Sequence, residues 1–376
     1  MATSPNYAWA EPDNSSLVKN GAADIRTLGD AIDTSVWNVG YGQAGKNKVI
    51  NGDFTLNQRA FTSNTTTASY NFDRWLQQNS GGSFTVTPQS FTAGAAPVAG
   101  YEAATFVQGI TATQSAAGDF AIITQRIESV RTFAANTVTI SFWAKANTGT
   151  PKIGVELQQN LGAGGSPSAT VSTPAGAVTL TTSFARYSVT VAVPSISGKT
   201  IGSTANTSYL ELNLWTSSGA TNATRASSIG IQNFTASIWG VQVEYGSKAT
   251  PFQTASGGSR QAELAMCQRY YVRFGGAAVY EAMGQGNGWT TTRAGIQIKL
   301  PVTMRIAPSA LDYALPLAVS DSVTATSITT ASLGGETGKD VAVFRADVAS
   351  GLTVYRPYVL ITDNSTSAYV GFSAEL

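Results

Sequence analysis

The chain has 376 residues, with 23 Lys and Arg against 22 Asp and Glu, 12% charged and 43% hydrophobic residues, one Cys and no His. A balanced charge gives no basic footprint for a phosphate backbone, so nucleic acid is disfavoured as a partner. Without imidazoles, Ser-His-Asp and Cys-His nucleophiles and His-based zinc sites are excluded, and carboxylates are the acid-base groups that remain.

No run of about 18 apolar residues occurs, and Met1-Ala2-Thr3-Ser4-Pro5 lacks the basic and apolar segments of a secretory signal. The expectation is a soluble chain made without Sec export or membrane insertion. Its 37 Gly, set among Thr-, Ser- and Val-rich tracts, favour pleated surfaces punctuated by turns, which predicts an all-β fold.

Residues 1–45 differ from the rest. Asp13-Asn14-Ser15-Ser16 offers N-cap oxygens, after which Val18, Ile25 and Ile32 recur every seven residues with Leu28 between them. This predicts a short helix with an apolar seam, weakened by Gly21 and Gly29 at roughly 1 kcal/mol each. So marginal a helix needs a partner: copies of itself, another protein, or its own globular body.

From residue 46 to 255, segments such as Phe84-Thr85-Val86-Thr87, Thr137 through Ala144, Tyr187 through Val193 and Tyr209 through Leu214 alternate apolar with small or polar residues. Turn-rich breaks at 162–167 and 217–220 separate them, which predicts a two-sheet antiparallel sandwich. Leu264, Cys267 and Tyr271 then fall at i, i+3 and i+7, predicting a linker helix with Cys267 as a small buried hydrophobe. Strands resume at Ala294 through Leu300, Val341 through Ala346 and Ala368 through Leu376, predicting a smaller C-terminal β-sandwich within residues 256–376.

Val49-Ile50-Asn51-Gly52-Asp53-Phe54, Asn57-Gln58-Arg59, Phe72-Asp73-Arg74-Trp75, Val138 through Lys145, Val241 through Gly246 and Ala249-Thr250-Pro251-Phe252 together resemble a module of bacteriophage tail-fibre and tail-appendage proteins. Cys267 through Tyr271, Leu300 through Arg305 and Ala374-Glu375-Leu376 look like that family's C-terminal half. The opening Trp9 through Asp13 and Arg26 through Asp33 are similar to segments such fibres use near the virion. The resemblance implies a virion protein attached by its N-terminus, in contact with other virion proteins there and with a host-surface glycan through its β domains. The larger domain is also similar to jelly-roll carbohydrate-binding modules, whose chain ends lie side by side. That likeness implies that Asp53 and Glu244 approach each other and, with backbone carbonyls, hold a structural Ca²⁺; the alternative is pairing with Arg59 or Arg74, or capping of a turn.

Asp73, Glu102, Asp119, Glu128, Glu156 and Glu211 are the carboxylates a glycosidase would draw on, but none sits in a motif that positions a pair, and neighbouring Arg residues predict ion pairs instead. Binding is the better expectation. Among the aromatic residues, Trp75, Trp143 and Trp239 read as core, whereas Trp215, Trp289, Tyr280 and Tyr101 read as loop-edge positions where a flat ring can meet a sugar. The scarcity of charge suits surfaces buried in a symmetric homo-oligomer, for which a trimer is the expected state. The expectation is therefore a non-enzymatic tail fibre, with a capsid decoration protein and a glycan depolymerase as rivals.

Overall fold

The computed structural model describes residues 2–4, 9–11, 17–39, 45–98 and 104–376. The predicted cap residues Asp13 to Ser16, together with Tyr101 and Glu102, lie outside the described residues. Strands β1 (Ala2–Thr3) and β2 (Ala10–Glu11) pair as a minimal hairpin, and the 19-residue helix α1 (Gly21–Val39) packs beside β2. Leu28 is half-buried, while Val18 and Ile25 are 97% and 66% exposed and Ile32 is also exposed. Seven residues make almost two helical turns, so Ile25 and Ile32 share one open face of α1, while Val18 stands in the 3-10 turn Val18–Asn20 that precedes it.

The next strands are β3 (Ser69–Tyr70), β4 (Trp75–Ser80), β5 (Ser83–Ser90), β6 (Thr105–Ala112), β7 (Phe120–Glu128), β8 (Thr137–Ala146), β9 (Lys152–Asn160), β10 (Val171–Thr179), β11 (Ala185–Ala192), β12 (Tyr209–Ser218) and β13 (Thr235–Tyr245). They form a six-stranded sheet, β10-β9-β12-β7-β4-β3, and a five-stranded sheet, β11-β8-β13-β6-β5, paired antiparallel throughout. The alternation read from the sequence sets the layers. Leu210, Leu212 and Leu214 meet Ile140, Phe142 and Val243 in one apolar core, and Glu211, Asn213 and Trp215 face outward. Residues 47–52 run beside β13, with the Val241 amide donating to the Gly52 carbonyl and that of Lys48 to Val243.

Helix α2 (Arg260–Gln268) follows, capped by Ser259. Of the expected Leu264-Cys267-Tyr271 stripe, Cys267 and Tyr271 are buried and Leu264 is half-buried, with Tyr271 opening the strand that follows; the helix also buries Glu263, whose carboxylate accepts from the amides of Asn51 and Ser256. The Cys267 thiol is buried, and burial pushes its pKa up.

Beyond α2 lie β14 (Tyr271–Gly275), β15 (Ala282–Gly288), β16 (Arg293–Lys299), β17 (Ala310–Ala314), β18 (Leu317–Ser320), β19 (Ala325–Leu333), β20 (Val341–Val348), β21 (Pro357–Thr362) and β22 (Tyr369–Ser373). Where the sequence suggests a second sandwich, six of these strands close into a barrel, β15-β16-β20-β19-β18-β21, flanked by the sheet β14-β22-β17. Gly286-Asn287-Gly288, the Gly-rich segment before Trp289, belongs to strand β15. Its alternate glycines make so narrow a barrel possible: a Cβ on Gly286 would collide with the Gly295 carbonyl, and one on Gly288 with that of Thr353. A second core, with Ile296, Ile298, Phe344 and Leu360, fills this unit.

Residues 375 and 376 bridge the two cores. The Glu375 carboxylate pairs with Arg74 and Arg59, and the Leu376 carbonyl accepts from the Tyr70 hydroxyl at 2.9 Å and from Arg126 Nη1 at 2.5 Å.

Candidate functional site

On the barrel's outer face, β15 and β16 place Gln285 opposite Gln297. Both amides are exposed and neither bonds another described residue. They lie between two concavities of about 510 and 670 Å³ that share Gln285, Gln297 and Val359. The first continues over Tyr358 and Pro357 to Ser320, Asp321 and Ser322; the second runs to Lys299, Asp340 and Val341. At one end Asp321 is fixed: the amides of Thr324 and Val323 bond its Oδ1, the Arg356 Nε stands 2.9 Å from Oδ2, and together they hold its carboxyl below the usual range. The result is an open trough with neutral amides at its centre and a carboxylate that stays ionised at one end.

Trp289 extends this face. A tight turn, in which the amides of Trp289 and Thr290 both donate to the Arg293 carbonyl, folds the indole back over β16. There it rests on Gly295, where a Cβ would collide with Cζ2 and Cε2 of the ring. Gly295 pairs with Asn287 and lies one outward position along the strand from Gln297, ~7 Å away. Trp289 is 37% exposed, and the Arg345 guanidinium stands 5.5 Å from a ring centroid. A flat ring held on a glycine, next to unbonded amides and a carboxylate, suits a ligand with C–H faces and hydroxyl edges. Gln285 and Gln297 escape sequence reasoning because a lone Gln in a strand carries no motif; the alternate glycines of β15 are the signal that could have found them.

The other candidate aromatics do not join this site. Tyr280 is exposed but precedes β15, at the opposite end of the strand from Trp289. Trp215 needs correction: it is fully buried, because β12 continues through a bulge to Ser218 and the following segment folds over it, packing Ala226 and Ile229 on the indole. Its Nε1 donates to Glu156 at 3.1 Å.

The acidic candidates among the described residues are engaged, mostly with different partners from those their neighbours suggest. Asp73 lies 3.6 Å from Arg59, Glu128 bonds Arg269 and Asp347 bonds Arg293; Arg74, Arg126 and Arg345 turn instead to Glu375, Glu211 and Glu336. Adjacent residues on a strand face opposite ways, so Arg126 and Arg293 meet their registered cross-strand partners Glu211 and Asp347, while each of the other pairs involves a residue of a loop or of the α2 terminus. Glu156 accepts from Arg225, Trp215 and Asn213, and Asp119 from the amides of Ser115 and Ala116.

Of the proposed calcium ligands, Asp53 accepts from Thr55 Oγ1 at 3.1 Å. Glu244 accepts from the Thr250 amide and hydroxyl and from Gln242, with Lys46 at 3.8 Å. No group of three or more His, Cys, Asp or Glu side chains suited to a metal ion is present among the described residues.

No protein-family model and no curated protein matches the sequence. Among solved structures, the chain is similar to the enzymatically active domain of a bacteriophage CBA120 tailspike protein (16% identity, TM-score 0.31), covering 53% of this chain and 21% of that one. It is also similar to a xylan-binding domain from Paenibacillus barcinonensis, with 15% identity over 48% of this chain and 98% of that one, TM-score 0.30. A family 11 carbohydrate-binding module from Clostridium thermocellum shows 7% identity over 50% and 96%, TM-score 0.28.

Proposed function

We propose that this protein is a non-catalytic adhesin of a bacteriophage particle, a tail fibre anchored through its first 45 residues that touches a host-surface glycan with its β domains. The observation that carries the binding reading is the barrel trough: the unbonded amides of Gln285 and Gln297 beside the exposed indole of Trp289. An amide offers both donors and an acceptor to hydroxyls, and an indole covers the apolar face of a sugar ring. The acidic side chains described above are held by arginines, backbone amides or neighbouring hydroxyl and amide groups, an arrangement that favours holding a glycan over cutting it.

The α1 seam supports the assembly part of the reading. Ile25 and Ile32 on one open face of α1, with Val18 exposed in the turn before it, suit self-association in a left-handed coil, and a trimer would multiply weak contacts by effective concentration, ~10²–10⁴-fold in avidity. The test is adsorption to host cells and to their isolated surface polysaccharide. Gln285→Ala with Gln297→Ala, and separately Trp289→Ala, should each weaken binding at least about tenfold, the scale of one or two lost hydrogen bonds or of a stacked ring. Undiminished binding by both variants would overturn the trough, and new reducing ends released from the polysaccharide would overturn the non-catalytic reading. Labelling on intact particles separates a tail position from a capsid one.

A further inference from the structure

Where the sandwich meets the segment following α2 there is a further cavity, of about 320 Å³, lined in part by Lys48, Gln125, Glu128, Thr132, Tyr245 and Tyr270. This volume sits at the low end of small-molecule sites, ~300–1,000 Å³, room for one sugar ring rather than a chain. Its walls are fixed. The Gln125 amide spends its oxygen on the Ile50 amide and its nitrogen on the Ile50 carbonyl, both at 2.8 Å. The Tyr245 ring, 54% exposed, is braced edge-on by Phe133 at 4.6 Å.

The charges facing the cavity cancel except one. Glu128 is bonded by Nε and Nη2 of Arg269, both at 3.2 Å, and Arg126, which also lines it, is bonded to Glu211. The Lys48 ammonium bonds no other described residue, and it lines the cavity together with the open Tyr245 ring. Thr132 donates its hydroxyl to the Glu128 carbonyl, so its oxygen is still free to accept. Burial pushes the Tyr270 phenol up to about 12, so it remains a neutral wall.

We propose that this cavity takes the carboxylate-bearing sugar residue of an acidic glycan. Lys48 meets the carboxylate, the Tyr245 ring covers the C–H face, and Thr132 Oγ1 and the Glu128 carboxylate accept ring hydroxyls. The inference rests on the glycan-binding reading for the class of polymer alone, since cavity and trough are separate surfaces.

Titration of the full chain with D-glucuronate, D-glucose and acetate tests it, by calorimetry or by ligand-observed NMR. Saturable binding of glucuronate is expected, at least about tenfold tighter than glucose, the worth of one charge-assisted hydrogen bond, and at least about tenfold tighter than acetate, which lacks the ring contacts. Lys48→Met should lower that affinity about tenfold or more without moving the melting temperature, Lys48→Arg should retain most of it, and Tyr245→Ala should weaken it. No saturable binding, acetate binding as well as glucuronate, or a Lys48→Met protein that behaves like the parent would each overturn the proposal. Loss of glucuronate binding with polysaccharide adsorption intact, or loss of adsorption in the Gln285 and Gln297 variant with glucuronate binding intact, tells failure of one surface from failure of the other.

Discussion

Replacing Glu375 with Gln should loosen the joint between sandwich and barrel. The Arg74 side chain is 1% exposed; it pairs with Glu375, donates from Nη2 to the Arg126 carbonyl at 2.5 Å, and lies with its Cζ 3.4 Å from the Tyr270 ring centroid. Burial pulls its pKa down, but Glu375 and the nearby phenols more than offset that, so the guanidinium stays charged. Removing one partner of such a buried pair leaves the other uncompensated, at a cost of ~3–5 kcal/mol. Arg59 also faces Glu375, at 3.3 Å, and loses part of its neutralisation, which places the change toward the upper end. Urea titration followed by intrinsic fluorescence and by calorimetry reads the loss. Arg74→Met combined with Glu375→Leu should recover much of it, because apolar replacement of a whole buried pair is often neutral. A Glu375→Gln protein within about 0.5 kcal/mol of the parent would refute the reasoning.

Other outcomes follow from the same geometry. Glu156→Ala strips the acceptor from Arg225, Trp215 and Asn213 and should cost ~2–3 kcal/mol in thermal melts, while adsorption through the trough is unchanged. Gly295→Ala forces the Trp289 indole off its seat, so a ~1–3 kcal/mol loss of stability should accompany weaker polysaccharide binding. Asp73 has its pKa raised to about 6 from an ordinary 3.8, chiefly by burial against the pull of Arg59. Because the folded form holds the extra proton between those values, this group's contribution to stability falls as pH rises from 3.8 to about 6 and is level above; Asp73→Asn should remove that slope from urea midpoints. Ile25→Asp, a charge on the most central of the three seam positions, should lower the mass measured in solution if copies associate there; an unchanged oligomer would place the association elsewhere.

The pleated layers were legible because period-two alternation is strong in segments such as Thr137 through Ala144 and Tyr209 through Leu214, and a half-buried sheet needs no more than that. Barrel closure was not, since glycines that allow strands to approach look the same in sequence as glycines that end them. Trp215 was misplaced for a related reason: Thr216-Ser217-Ser218 reads as a turn but continues a bulged strand, and what covers it comes from residues 226–229. The charges show a similar limit. That carboxylates would pair with arginines was readable; which arginine depended on cross-strand register, as with Arg126 and Glu211, or on tertiary packing, as with Glu128 and Arg269 at the end of α2, 141 positions apart. Of the trough, the sequence offered Trp289 and hid its glutamine neighbours.

The strap formed by residues 375 and 376 also bears on how the protein is made. Its contacts reach Arg74 and Tyr70, 301 and 306 positions upstream, so at ~5–20 residues per second the sandwich waits roughly 15–60 s after its first strands emerge before these partners are synthesised. Through that interval Arg59 and Arg74 lack the Glu375 carboxylate, and once β13 is complete at residue 245 the nascent chain is a sandwich followed by a barrel not yet secured to it. Ribosome stalling or premature release shortly before codon 375 would therefore leave two folded bodies without their latch, a species vulnerable to proteases at the α2 junction.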